Sequence, residues 1–207
     1  MYLKIFHAAS WNFPWTRNKL GDHEAYDCYI TFWNHARISS IIKPIYGFTG
    51  ALPDYTLITT TRESKLLDAK NNTINFFGDG TKKQICTTAD DVAAYTIEAI
   101  SDPSAAEGGF YYVESFRIST LGMADVYDEL RGTKLERRSH GSLEDVERML
   151  VQARAIMSPL DHEEYIGLSY VKYWLNGTWD FETPDSKRWS NVRQTSFREW
   201  LVAHPEV

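Results

Sequence analysis

"NTINFFGDGTKKQICTTADDVAAYTIEAISDP" fills residues 72–103, and the reading of its two close glycines, Gly78 and Gly80, decides the fold. A phosphate-gripping loop needs a strand before it and a helix after it, because the helix N-terminus supplies the unpaired N–H groups and the positive dipole end. "NTINFF" alternates and is a strand, but so is "KKQICTT", which follows where a helix would have to start. Asp79-Gly80 is also a standard pair for a tight turn between strands. The sequence therefore predicts a β-hairpin turn here and no phosphate loop. No GxGxxG or Walker pattern replaces it, and the glycines before residue 70, Gly21, Gly47 and Gly50, have no strand-loop-helix setting.

Outward from this stretch, Thr88 with Asp91 reads as the cap of a helix that stops at Asp102-Pro103. Upstream, residues 2–7 read as a short buried strand and residues 9–21 as an aromatic loop. A helix is predicted over 22–43, with Asp22 as N-cap and Pro44 as its stop. Downstream come a strand at "GGFYYVES", a helix capped by Ser119 or Thr120 and closed by Gly132, and a helix opened by Ser142 and Asp145. A helix over 161–177 and a short one in "TSFREWLVAH" follow. The pattern is α/β passing into a more helical C-terminal part.

Composition narrows the classes of function. The 207 residues are 43% hydrophobic and 24% charged, which is a globular balance, and the formal net charge of −6 argues against nucleic acid and anionic membranes as partners. No apolar run is long enough for a membrane span, and "MYLKIFHAAS" lacks the basic and apolar regions of a signal peptide. Cys28 and Cys86 match no CxxC spacing and read as two buried free thiols, so a cytoplasmic setting is expected. His162-Glu163-Glu164 begins like HExxH, but Ile166 stands where the second histidine would be, so no zinc site is expected.

The order of these features resembles the C-terminal part of the NmrA-like, or isoflavone reductase-like, family of atypical short-chain dehydrogenases. Four segments carry the resemblance: the 72–103 stretch, "RGTKLERRSHGSLEDVERML", the closing "KYWLNGTWDFETPDSKRWSNVRQTSFREWL", and "LKIFHAASWNF" near the start. It implies the C-terminal portion of a Rossmann-like NAD(P)-binding fold plus a smaller, mostly helical substrate-binding part. On that scheme residues 1–58 are the residual Rossmann-like part and residues 59–207 the substrate-binding part. The cofactor implied is NADP, and the substrate a small, aromatic or secondary-metabolite molecule. The family's glycine-rich dinucleotide loop is not found, so the sheet is expected to show an open edge through which the chain self-associates.

The candidate residues follow from the same comparison. Ala8-Ala9-Ser10 stand where the family has Pro-Ser-Glu, and Asn34 or His35 where its reductases carry a catalytic lysine. His35 is the candidate for proton transfer, since imidazole titrates near neutral pH, and Asn34 for hydrogen bonding to a carbonyl. His7 ends a strand at the carboxyl edge, where α/β proteins bind ligands, and joins Ala9, Ser10 and Phe48 as the cofactor-side set. Trp11, Phe13 and Trp15, with Tyr46, either wall an aromatic substrate pocket or pack beneath the loop. Three functions remain open: an NAD(P)H-dependent oxidoreductase or a truncated descendant of one, a non-catalytic redox sensor or regulator, and an inactive fragment.

Overall fold

The structure is a computed structural model that describes residues 5–39, 41, 43–57 and 66–207. Its first long element is helix α1 (Glu24–Ser39). Tyr26, Ile30 and Trp33 recur at i, i+4 and i+7 and turn one face of α1 to the core. Asp22 does not cap it: the Asp22 carboxylate accepts the Lys19 N–H at 2.8 Å and closes the turn before the helix. Glu24 and Asp27 supply negative charge to the first turn instead.

Strand β1 (Ile45–Phe48) is buried along its whole length and leads into the short helix α2 (Pro53–Thr56). Strands β2 (Leu67–Asp68), β3 (Thr73–Phe76) and β4 (Lys83–Cys86) follow, then helix α3 (Ala89–Ser101). Thr88 caps α3 as expected, its hydroxyl accepting the Asp91 N–H at 3.2 Å. Strands β5 (Gly109–Tyr112) and β6 (Phe116–Ser119) lead to helix α4 (Thr120–Arg131). Of the two cap candidates it is Ser119 that accepts the Gly122 N–H, and Gly132 ends the helix in the left-handed conformation. Strand β7 (Glu136–Ser139) precedes helix α5 (Leu143–Ile156), which Ser142 and Asp145 open as a reciprocal capping box. The predicted 161–177 helix is divided: a 3₁₀ segment at Pro159–Glu164 gives way to α6 (Ile166–Leu175). Helices α7 (Pro184–Arg188) and α8 (Phe197–Ala203) close the chain, the second with its own Ser196–Glu199 capping box.

The hairpin expectation is corrected. β3 and β4 do not pair with each other: β3 lies between β2 and β7, parallel to β7, while β4 pairs antiparallel with β6. Gly78-Asp79-Gly80 is a turn, and a strand follows it, so the exclusion of a phosphate loop stands. Both glycines have positive φ, and Asp79 Oδ1 accepts the N–H and hydroxyl of Thr81. The Gly80 carbonyl takes the Leu121 N–H, so the turn docks on the start of α4 and sends its two strands into different sheets. Local chemistry specified a turn, and packing against α4 chose the partners.

The sheet remnant that positions the site is β1 with β5, which run parallel, Gly47 opposite Tyr111. Residues 6–8 extend it by the Ala8 N–H to the Ile45 carbonyl and the Ile45 N–H to the Phe6 carbonyl. The strand predicted over 2–7 is otherwise outside the described residues, as is the 58/59 boundary. Across that boundary β5 returns to pair with β1, and one apolar cluster runs from Ala8 to Leu201. On the α1 side of the sheet Tyr46, Phe48 and Phe110 stack as a slab, with Trp15 set edge-on against all three. On the other side Ile45 and Tyr111 pack with Tyr95, Ala99 and Trp189. Among the described residues no helix is long and apolar enough to cross a membrane. Cys86 is buried as expected, whereas Cys28 lies exposed on α1, because its position falls off the core-facing stripe.

Gly50 fixes how β1 meets β4. It has φ +68°, and a Cβ there would sit 2.2 Å from the Ile85 carbonyl oxygen, which accepts the Ala51 N–H. Gly50→Ala is expected to lose about 2–4 kcal/mol in urea unfolding, from positive-φ strain plus a backbone clash. Gly21→Ala, at φ +88° with nothing within 4 Å, is expected to lose only about 1 kcal/mol. Equal losses at the two positions would contradict this account of the β1–β4 junction.

Candidate functional site

The loop leaving the outer strand is stitched onto β1. Ser10 Oγ accepts the Gly47 N–H at 3.0 Å and donates to the Ala8 carbonyl, and the Asn12 carbonyl accepts the Thr49 N–H. Ser10 is thereby buried and its hydroxyl is engaged by the loop itself, while Ala9 is exposed. Phe48 is fully buried in the aromatic slab, and Tyr46 is buried there too with its hydroxyl unpartnered. Tyr46 borders a separate cavity of about 340 Å³ toward the start of β1, with Lys43 and Glu107. Trp15 is wholly core. For Trp15 the alternative of packing beneath the loop is the one the structure takes.

His7 enters a different grouping, on the α3 side of the sheet. Its Nε2 lies 3.0 Å from Tyr111 Oη, and its ring stacks on Trp11 with centroids 5.1 Å apart. Trp11 Nε1 donates to Thr96 Oγ1, which is 3.2 Å from Tyr111 Oη. Burial lowers the His7 pKa and raises that of Tyr111, so at neutral pH the pair is an uncharged imidazole and a phenol. Gly47 makes this contact reachable, since a Cβ there would stand 2.5 Å from the Tyr111 ring.

Asn34 and His35 are exposed on α1, whose neighbouring residues Trp33 and Ala36 face inward. The structure brings neither to His7, Phe48 or Phe13. The helical phase set by the Tyr26–Ile30–Trp33 stripe turns positions 34 and 35 outward.

Phe13 leads to a large cavity. It stacks on Trp179 at 4.8 Å, and the two rings border a space of about 660 Å³. Trp174 and Phe181 from the C-terminal segment also line it, together with Lys82 and Lys83 beside β4, Arg117 on β6, and Arg17. Trp179 is held by its Nε1–H, which donates to Asn18 Oδ1 at 2.8 Å. Residue-by-residue reading missed Lys82, Lys83, Arg117 and Trp179, although two adjacent lysines ahead of an apolar strand were a usable signal. Among the described residues no group of three or more His, Cys, Asp or Glu is arranged to hold a metal ion.

Behind Trp179 lies a buried histidine that sequence reading did not single out. His23 is fully buried, both ring nitrogens lack partners, and it stacks on Tyr26 at 4.2 Å with the edge of Tyr170 at 4.6 Å. Burial pushes its pKa down to about 4.

Parallel strands with flanking helices, and a ligand-sized cavity between the loop after the outer strand and the C-terminal segment, make a Rossmann-like α/β arrangement. No family model matches the chain. It is 25% identical over 166 residues to isoflavone reductase homologue P3 of Arabidopsis thaliana, covering 75% of this chain and 51% of that protein. A crystal structure of isoflavone reductase superposes with TM-score 0.73 at 17% identity, over 96% of this chain and 65% of that one. AtPrR2 with NADP+ and (+)pinoresinol gives TM-score 0.77 at 19% identity, over 96% and 64%. The leucoanthocyanidin reductase–NADPH complex from Vitis vinifera gives 0.72 at 11%, over 99% and 67%. The chain is similar in sequence to an isoflavone reductase homologue and in fold to reductases of that kind, two of which are complexes with NADP+ or NADPH. It spans about half the length of the curated relative it matches and about two thirds of these solved chains. Two positive-φ glycines do stand between a strand and a helix, Gly50 before α2 and Gly141 before α5, so Gly50 has the setting the sequence did not show. Neither fits a dinucleotide pyrophosphate: Gly50 is packed on the Ile85 carbonyl ahead of a helix of four residues, and the α5 N-terminus is closed by its own Ser142–Asp145 capping box.

The unfolded chain binds a proton at His23 near pH 6.5 and the folded chain only near 4, so stability contributed by the neutral ring is lost as pH falls through that interval. Between pH 7 and pH 5 the loss from this residue is about 2 kcal/mol. Unfolding free energies from urea titrations at the two pH values are expected to converge by about that amount in His23→Phe, which keeps the stacking surface. An unchanged gap would show that His23 is not the group responsible.

Proposed function

We propose that the chain is the substrate-holding part of an NADP(H)-dependent reductase that acts on small aromatic secondary metabolites. The observation that carries this reading is the 660 Å³ cavity, walled by Phe13 from the loop after the outer strand and by Trp174, Trp179 and Phe181 from the C-terminal segment. Aromatic rings in the wall of a ligand-sized cleft suit an aromatic guest. Isoflavone reductase, leucoanthocyanidin reductase and the pinoresinol complex of AtPrR2 among the neighbours support the same class. In this reading Phe13 is the substrate contact from the original set, with His7 and Trp11 at the adjoining strand end. The sequence has no glycine-rich dinucleotide motif, so in this reading NADPH binding by this chain is what the titration below tests. A cytoplasmic setting, resting on the two free thiols, belongs to the same proposal. So does self-association through the outer edge at residues 6–8, where Phe6 is partly exposed beside Phe32.

One observation favours a second reading, binding without turnover. Asn34 and His35, the positions matched to the family's lysine, lie exposed on α1 away from the rings of the cavity. Titrating the chain with pinoresinol and then NADPH, followed by tryptophan fluorescence and by loss of NADPH absorbance, separates the readings. The reductase reading expects saturable quenching by the aromatic guest and NADPH consumption when both are present. Quenching without consumption supports a non-catalytic binding protein. Neither signal would leave an inactive fragment.

A further inference from the structure

The large cavity carries charge that its surroundings do not cancel. Arg17, Lys82, Lys83 and Arg117 line it, against Asp180 and Glu182, in a chain whose net charge is −6. Two of the cations are matched. Lys82 Nζ pairs with Asp180 at 3.0 Å, and Arg117 pairs with Glu114 at 2.5 Å and Glu182 at 3.6 Å. Arg17 instead donates from Nη1 to the carbonyl oxygens of Thr178, at 2.8 Å, and Asp180. Those acceptors are neutral, so they orient the guanidinium and leave its charge in place. Lys83, on β4, has no hydrogen-bond or ion-pair partner among the described residues. An acidic protein that gathers two unmatched cations beside stacked rings has the chemistry of a receptor for an anion.

We propose that this cavity binds a planar aromatic anion, its ring against the Phe13–Trp179 wall and its acidic group facing Arg17 and Lys83. The inference rests on the same cavity as the reductase reading and narrows the substrate from an aromatic molecule to an aromatic acid. The ring supplies the stacking area, and the carboxylate or sulfonate supplies the discrimination, because a neutral analogue leaves the cations unpaired.

The probe is 2-naphthoate, compared with its neutral methyl ester by isothermal titration calorimetry on the full chain, without NADPH. The acid is expected to bind about 10-fold tighter at low salt, the preference shrinking as added salt screens the charges. Lys83→Gln is expected to remove most of the preference while leaving the ester's affinity unchanged. Its side chain is exposed and unpartnered, so the variant keeps the fold. Lys70→Gln, outside the cavity, is expected to change neither ligand. Equal binding of acid and ester, an acid preference that survives Lys83→Gln, or no binding of either at millimolar concentration would each overturn the proposal. Because the assay uses no cofactor and no turnover, a chain that consumes NADPH but shows no acid preference would lose this inference and keep the reductase reading.

Discussion

A buried carboxylate holds the two ends of this structure together. Asp91, on the first turn of α3, accepts the Ser115 hydroxyl, and both the N–H and the hydroxyl of Thr195. The Asp91 N–H is bound to Thr88, whose own N–H donates to Ser115 Oγ. A carboxylate out of water is costly unless its lone pairs are filled, so the group requires all of these partners at once. Its partners come from the start of α3, the β5–β6 turn and the approach to α8. Satisfying one side chain therefore fixes the C-terminal tail against the sheet remnant and brings the segment with Trp179 and Phe181 over the loop that carries Phe13.

The aromatic richness of the chain serves two purposes that only packing separates. On the α1 side of β1 and β5, Tyr46, Phe48, Phe110 and Trp15 pack as a slab in which Phe48 and Trp15 are wholly buried, while Tyr46 and Phe110 border the smaller cavity. A few residues away, Phe13 and Trp179 are buried as well, but they stack on each other where they border the 660 Å³ cavity. The difference follows from alternation along the strand and from the loop's course along β1, which turns Trp15 inward and leaves Phe13 at the rim.

The electrostatics divide in the same way. A net charge of −6 describes the whole surface, yet this cavity is lined by more cations than carboxylates. Whole-chain charge speaks to bulk partners such as nucleic acid and does not describe a cleft whose walls come from four separated stretches of sequence. The Rossmann-like resemblance sets the expectation of a ligand at the carboxyl end of the strands, and the charge inside the cleft refines which ligand.

The sequence by itself determined several helix starts and the place of the 78–80 turn. Thr88, Ser119, Ser142 and Ser196 cap helices because a hydroxyl one residue before a helix meets an unpaired N–H whatever lies further away. It also determined that Gly78-Asp79-Gly80 is no phosphate loop, since the strand after it is written in local alternation. The four-segment resemblance made the fold class legible as well. Tertiary structure alone decided that β3 and β4 part company, that Asp22 closes a turn, and that Asn34 and His35 face away from the rings. It also decided that Lys83, Arg17 and Trp179 meet around one cavity. Strand partners and cavity walls depend on contacts between residues as many as 160 positions apart, such as Trp179 with Asn18, and no local pattern encodes which distant surface will arrive.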